Sequence, residues 1–259
     1  MKNKLKKPLI SVLICVYNEE DEIKDCINSI FNQTLQEFEI IIIDDGSKDN
    51  TAEIIKKIKD KRIKYYYKKN EGLTKALNYG LKFCRGDFIA RLDADNRCVK
   101  KRFEKQINFF KKNPDFVLVG GLAKKIIAKN NKKISEKISY LSIEKQLMIG
   151  PAIPHSSIMV KSNILKKEKY NEKFRTSQDY ELYVRLASKY KIAKLNEFFV
   201  SAKIKETSIT RSKKKWENLI THTKIRLKAY KKLDVPWYYF IHIFRGFVRY
   251  LIPKRFIKI

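Results

Sequence analysis

The stretch Phe88-Ile-Ala-Arg-Leu-Asp-Ala-Asp-Asn96 decides the fold. From Phe88 to Leu92 it is largely apolar, and it then breaks into two carboxylates, Asp93 and Asp95. Gly86-Asp87 marks a turn before it. A short apolar run bounded by turn residues reads as a buried strand. Acids at the carboxyl end of such a strand lie where open α/β sheets bind ligands. Carboxylates there can hold a hard divalent cation, and that cation can hold a diphosphate. Asp-x-Asp is also short and common, and its spacing alone fits a solvated acidic loop equally well.

Upstream, strands and helices alternate. Ile63–Tyr67 reads as a strand, Asn70-Glu71-Gly72 as a turn and Leu73–Phe83 as a helix. Lys75 stands in the first turn of that helix, where N–H groups favour anions; it can meet a phosphate or simply solvent. Phe38–Ile43 is another strand, ending in Asp44-Asp45-Gly46-Ser47. Asp44 and Asp45 suit a base N–H and ribose hydroxyls, since a buried acid needs such partners. The same residues fit an Asp-Gly turn, with Asn50 or Thr51 capping a helix over Ala52–Ile58. Leu9–Val16 is the first strand, and Tyr17-Asn18-Glu19-Glu20 is the polar loop at its end. Ile23, Ile27, Ile30 and Phe31 then mark one helical face. The loop has no G-x-G-x-x-G, which argues against a dinucleotide seated on a glycine turn. The alternation predicts an α/β fold with a parallel sheet and right-handed crossovers.

Downstream, Phe103, Ile107 and Phe110 mark a helix ended by Asn113-Pro114. Phe116–Val119 reads as a strand stopped by Gly120-Gly121. Lys124–Ser142 is lysine-rich and predicts a flexible loop or irregular strand. Pro151–Ser157 is turn-rich, and Ile158–Val160 is a short strand. His155 is either a substrate-orienting group or an ordinary loop histidine. Gln178-Asp179-Tyr180-Glu181 opens a helix that continues through Ala187. Asp179 there is either a dipole partner or a general base held at a rigid helix start. Phe198–Ile204 predicts the last strand, and Lys213–Leu233 a basic helix. An apolar, aromatic segment, Val235–Ile252, follows.

The 259 residues, 44% of them hydrophobic, suit one large domain or a domain with a tail. A formal charge of +30 attracts polyanions: nucleic acid, anionic lipid or phosphorylated substrates. Lysines solvated along the whole chain explain it as well. Cys15, Cys26, Cys84 and Cys98 form no Cys-x-x-Cys pair, which predicts reduced thiols in a cytoplasmic protein and no zinc site. The basic start lacks the apolar core and cleavage site of a signal peptide. No apolar run reaches the length of a membrane span.

Taken in order, SVLICVYNEE, IIIIDDGSKDNT, NEGLTKALNYGL, GDFIARLDADN and SQDYELYVRL resemble the family 2 inverting glycosyltransferases. The likeness runs from about Leu9 to Ile209, and the motifs are specific as an ordered set at strand ends. It implies a GT-A type fold, a Rossmann-like, mixed and mostly parallel sheet flanked by helices. Residues 1–210 would form the catalytic domain and 211–259 a basic, aromatic helical region. It further implies a UDP-sugar donor, a divalent cation (Mn²⁺ or Mg²⁺), and a glycan or lipid-linked acceptor in cell-surface glycan synthesis. By the same resemblance the Val16-Tyr17-Asn18-Glu19 loop lines the nucleoside, and Asp44, beside Asp45, reads the uracil. Asp93 contacts ribose and sugar, Asp95 binds the metal, and Asp179 is the catalytic base. Lys75 and Asn78 fall near the donor. Two positions depart from the pattern. Leu77 stands where many members have Arg. Ala202-Lys-Ile-Lys205, ahead of Thr207-Ser208, replaces Tyr-Arg-x-His, so that Lys205 would substitute for the His only electrostatically.

Two other classes compete. A basic nucleic-acid-binding protein would explain the charge, but no zinc-finger, RNP or helix-turn-helix signature is present, and no specific nucleic-acid partner is expected. An inactive scaffold at a membrane surface is disfavoured by retention of Asp44, Asp93, Asp95 and Asp179. The segment Pro236–Ile252 carries aromatics with Arg245 and Arg249 four apart, and Lys254, Arg255 and Lys258 follow. It predicts an interfacial helix that holds the protein peripherally on the anionic inner face of the cytoplasmic membrane. Packing of that segment back onto the catalytic domain as ordinary core is the competing expectation.

Overall fold

The computed structural model describes residues 7–127, 132–135, 139, 141–204 and 215–246. Its elements are β1 (Ile10–Val16), α1 (Ile23–Phe31), β2 (Phe38–Asp44), α2 (Thr51–Lys57), β3 (Ile63–Tyr67), α3 (Leu73–Leu81), β4 (Phe88–Arg91) and β5 (Asn96–Cys98). There follow α4 (Arg102–Lys112), β6 (Phe116–Ile127), β7 (Lys132–Ser135), α5 (Ile143–Ile149), a 3₁₀ turn at His155–Ser157 and β8 (Met159–Lys161). Then come α6 (Ser162–Glu168), α7 (Gln178–Ala187), β9 (Lys191–Ile204), α8 (Lys215–Lys232) and a 3₁₀ segment, Trp237–Phe244.

The sheet is ordered β3-β2-β1-β4-β8-β6-β9-β5, with β7 on β6. β3, β2, β1 and β4 are parallel, as the alternating pattern predicts. Beyond β4 the sheet is mixed: β8 is antiparallel to both β4 and β6, and β9 is parallel to β6. Continuous apolar strands result because both faces are covered. Along β1, Leu13 and Cys15 face one core, and Ile10, Val12, Ile14 and Val16 face the other. α1 covers the second face with Ile23, Cys26, Ile27 and Ile30. α3, α7 and α8 cover the first, through Leu77, Tyr180, Tyr183, Ile225 and Ala229. Burying one such side chain is worth about 1.5–3 kcal/mol, so these opposed layers hold the strand ends rigidly in place.

Three expectations need correction. Gly120-Gly121 does not stop a strand, because β6 runs through it to Ile127. The glycines serve close packing: a Cβ on Gly120 would run into Ile153, and one on Gly121 into Phe199 and the Glu197 carbonyl. Within Lys124–Ser142, β6 and β7 form an antiparallel hairpin with Lys124 opposite Ser135. Lysines suit such an edge strand, which is why the stretch looks loop-like in sequence. The last strand starts at Lys191, not Phe198, because β9 pairs with β6 along most of its length. β5, α5 and α6 were not anticipated at all.

Candidate active site

The loops after β1 and β2 clasp each other. Asn18, in the left-handed region at φ 54°, donates its N–H to Ser47 Oγ at 3.0 Å, and its Oδ1 accepts from Lys48 N–H at 2.9 Å. Glu19 N–H donates to Thr51 Oγ1 at 2.9 Å, and Asp45 N–H to the Val16 carbonyl at 2.9 Å. The capping expectation for α2 shifts accordingly. Asp49 Oδ1 accepts the Thr51 N–H at 3.0 Å, while Asn50 makes no side-chain cap and instead binds Glu20.

Asp44 is fully buried. Its Oδ1 accepts the Ser47 N–H at 2.8 Å and its Oδ2 accepts the Tyr65 hydroxyl at 2.7 Å. Burial, and then Asp44 itself, push the Tyr65 hydroxyl up, so it remains a donor. Asp45 receives Lys68 Nζ at 2.8 Å and the N–H groups of Glu71 and Gly72 at 3.1 and 2.8 Å. It thereby fixes the turn that launches α3.

Lys75 and Asn78 lie to one side. Lys75 pairs with Glu71 at 2.9 Å, and both residues line a cleft of about 600 Å³ with Lys68, Lys166 and Lys169. The Asn78 amide brackets the Tyr170 backbone, donating to its carbonyl and accepting its N–H at 2.9 Å each. Leu77 is buried in the core, so no cation occupies that position.

At the end of β4, Arg91 is 2% exposed and points the same way as Asp93 two residues on. Its Nη2 reaches Asp93 Oδ1 at 2.5 Å, and the Ser156 hydroxyl donates to Asp93 Oδ2. Burial by itself would raise the Asp93 carboxyl. The Arg91 guanidinium and the Ser156 hydrogen bond outweigh it and hold the group below the usual carboxylate range. Asn96 Nδ2 also donates to Ser156 Oγ, at 2.6 Å. Asp95 sits half-buried in the tight turn between β4 and β5. Opposite, Asp179 is the second residue of α7. Burial raises its carboxyl; N–H bonds at the helix start partly offset this, and the Asp93 charge raises it further. Tyr170, paired with His155 Nε2 at 2.9 Å, and the fully buried Tyr183 belong to the same cluster. His155 is pushed down by burial and Arg91 and is a neutral imidazole.

The start of α7 is held from two directions. Ser177, at φ 60°, pairs its hydroxyl with His222 Nε2 of α8 at 2.8 Å. Thr74 Oγ1 of α3 donates to the Phe174 carbonyl at 2.8 Å. Thus the structure brings together Val16–Glu19 with Asp44 and Asp45, and Asp93 with Asp179, while Asp95 stands two residues beyond Asp93 in the turn. Lys205, Thr207 and Ser208 lie outside the described residues. Arg91, Ser156, Tyr170, Tyr183 and His222 were not picked out from the sequence. Arg91 had a visible signal: a charge inside an apolar strand requires a partner, and Asp93 is on its side of the strand.

No group of three or more His, Cys, Asp or Glu side chains able to hold a metal occurs among the described residues. Among the described residues there is therefore no all-protein metal cage. A hard cation held by the Asp95 carboxylate and completed by substrate phosphates fits this donor set.

Comparison with known proteins bears on the family and the fold. Residues 11–185 match the family model Glycosyl transferase family 2. An uncharacterised glycosyltransferase of Methanocaldococcus jannaschii is 36% identical over 248 residues, covering 92% of this chain and 82% of that protein. Among solved structures, residues 1–349 of Staphylococcus aureus TarS in complex with UDP-GlcNAc superpose with a TM-score of 0.71 at 19% identity, covering 93% of this chain and 71% of that one. The Pyrobaculum calidifontis mannosyltransferase PcManGT, in complex with GDP-Man and Mn²⁺, gives 0.68 at 15% identity, covering 93% and 69%. The two likenesses establish the GT-A fold.

Proposed function

The chain belongs to glycosyl transferase family 2, and we propose that it transfers a hexosyl or N-acetylhexosaminyl group from a UDP-sugar, with inversion, to a glycan or lipid-linked acceptor in cell-surface glycan synthesis. The observation that carries this reading is the opposed state of two carboxylates in one cluster: Asp93 is held low and Asp179 is raised. Neighbouring carboxyls pushed apart in this way divide anionic contact from proton transfer. Asp179 takes the proton of the acceptor hydroxyl as its oxygen bonds to the anomeric carbon. The bond from that carbon to the diphosphate breaks in the same displacement, and UDP leaves with the electron pair. Arg91 and Ser156 fix Asp93 against the ribose and the sugar. Asp95 would hold a divalent cation, Mn²⁺ or Mg²⁺, which supplies charge neutralisation at the diphosphate when bound. The Val16–Glu19 loop and Asp44, its carboxylate already oriented by Ser47 and Tyr65, line the uracil side. Residues 1–210 form the catalytic unit, and residues 211–259 keep it at the inner face of the cytoplasmic membrane.

A screen of UDP-, GDP- and ADP-sugars, read by released nucleotide with Mn²⁺ or Mg²⁺, tests the reading. Turnover of UDP-sugars above the other two is expected. Equal turnover of all three removes Asp44 as a base reader, and no turnover with any donor overturns the enzymatic reading.

A further inference from the structure

The C-terminal region splits into a buried and an exposed half. Ile225 and Ala229 of α8 and Leu233 just after it, with Tyr239 and Ile243 of the 3₁₀ segment, join the same core as Leu13 and Tyr180. This part is ordinary packing. A second set of apolar side chains faces outward. Trp216, Ile220 and Leu227 are exposed and fall at i, i+4 and i+11, one stripe of α8 opposite its buried face. In the 3₁₀ segment, residues three apart stack in rows. Tyr238, Ile241 and Phe244 form an exposed row, flanked by Trp237 and Phe240. Trp237 is 79% and Ile241 70% exposed. The two surfaces meet where the Phe240 ring packs edge-on against Tyr230 of α8, with ring centres 5.4 Å apart. A contiguous apolar face of this kind marks an interaction site.

Charge selects the occupant. Lys224 and Lys231 flank the α8 stripe, while Lys228 beside them is paired with the buried Glu181, and Arg245 closes the 3₁₀ segment. Residues 211–259 hold 14 Lys and Arg against two acids, Glu217 and Asp234. A second copy of a +30 chain would bring like charge onto like charge. Trp216, Trp237, Tyr238, Phe240 and Phe244 are rings, but Ile220, Leu227 and Ile241 lie among them and add aliphatic surface that neither a stacked base nor a phosphate backbone uses. Aromatics and aliphatics rimmed by lysine are the composition of a surface that enters the headgroup layer of an anionic bilayer.

We propose that the exposed stripe of α8 and the outer row of the 3₁₀ segment together form a docking face for an anionic lipid bilayer. This deepens the membrane part of the proposed function by naming its surface, and it differs from a single interfacial helix because the segment is a 3₁₀ turn clamped onto α8. The face is one helix away from the candidate base. α8 also carries His222, which holds Ser177 at the start of α7. Docking here therefore sets the Asp179 end of the site near the bilayer, as a lipid-carried acceptor requires.

The test is co-sedimentation of the full chain with vesicles of phosphatidylcholine, with and without phosphatidylglycerol. The double variant Trp237→Ser/Ile241→Ser removes two side chains that are mostly solvent-exposed. UDP binding, measured by calorimetry, checks that it remains folded. Wild type is expected to bind the anionic vesicles, and the variant to bind at least about tenfold more weakly with UDP affinity retained. Lys224→Glu/Lys231→Glu should lose the preference for anionic over neutral vesicles. Failure of wild type to bind either vesicle overturns the membrane address altogether. Wild-type binding that both variants retain in full overturns this face alone and leaves the address standing. A wild-type dimer in light scattering that the Trp237/Ile241 variant abolishes, or vesicle binding eliminated by single-stranded RNA held at the same face, assigns the face to another occupant and overturns the proposal.

Discussion

Asp93 and Asp179 are both acids of the same cluster, yet their surroundings drive them in opposite directions. The carboxyl end of β4 supplies a guanidinium and a hydroxyl to Asp93. The start of α7 supplies Asp179 with burial and N–H groups, and Arg91 lowers it too little to reverse the shift. The difference teaches how one small site can keep a fixed anion on the donor side and a proton acceptor on the other. An acid with a raised pKa is a stronger base when ionised, and it ionises close to the working pH.

The largest effect should come from Asp179→Asn. Loss of a general base costs about 10²–10⁴ in rate, so transfer should fall by that range while UDP affinity stays unchanged. The stability sign is opposite. A carboxyl whose folded pKa is raised stabilises the fold below its unfolded pKa and loses that contribution as pH rises through the folded value. Wherever Asp179 is ionised, its burial is thus a burden, and Asp179→Asn should melt at or above the wild-type temperature. Thermal melts alongside transfer assays check this. A variant that melts lower and loses UDP would reduce Asp179 to a structural cap. In wild type, transfer should decline on acidification earlier than an ordinary carboxylate base would dictate.

Next in size is Asp95→Ala. Removing a charge-stabilising contact at the diphosphate should cost about 10²–10³ in turnover. Titration of the wild-type enzyme with chelator should reproduce the loss, and restoration by Mn²⁺ should be weaker in the variant. Full turnover in excess chelator would break the division between the two ends of the site.

Arg91→Met sharpens the comparison from the donor side. It leaves Asp93 without its cation, and the cost should be about 2 kcal/mol of stability, below the range for a fully buried pair because Asp93 is partly open to solvent. Asp93 sits below its ordinary range in the fold, so it stabilises above the unfolded pKa, and that contribution disappears as pH falls through the folded value. Arg91→Met should therefore lose less stability than wild type between neutral and acid pH. Chemical denaturation at a series of pH values reads the slope.

Legibility followed the same divide. The first four strands and their helices could be read because each strand is a short apolar run closed by polar residues, and β3 coincides with its expected span. The order Asp44, Asp93, Asp95, Asp179 was readable because each acid interrupts or follows an apolar pattern. In the second half α4, α7, α8 and the short β8 fall where the sequence puts them, but the long strands β6 and β9 do not. β6 passes through two glycines whose purpose is to admit Ile153 and Phe199 from elsewhere in the chain, a tertiary demand invisible locally. Tyr170 and His222 enter the site from segments with no motif, held by hydrogen bonds to Asn78 and Ser177 across long sequence separations. Asp44 was legible as a candidate, but its partners Ser47 and Tyr65 emerge only when β3 is laid beside β2.

The smallest effect is expected at Tyr183, and it probes the acceptor end most closely. Tyr183 lies one helical turn after Asp179, is fully buried, and its hydroxyl has no hydrogen-bond partner among the described residues. Burial, then the charge of Asp179, push that hydroxyl up, so it stays protonated. An unsatisfied buried hydroxyl costs about 1–3 kcal/mol, and replacing it with an apolar group of the same shape removes the cost. Tyr183→Phe should accordingly gain about 1 kcal/mol of stability in the absence of substrate. If the hydroxyl has no function, transfer should change by less than about threefold, the size of a weak hydrogen-bond term. The informative outcome is a split: a raised KM for acceptor with UDP affinity and the pH profile unchanged would give the hydroxyl an acceptor contact. A shift of the pH profile with KM unchanged would instead mean that Tyr183 tunes Asp179, and the raised carboxyl at the start of α7 would then depend on a neighbour as the lowered one at β4 depends on Arg91.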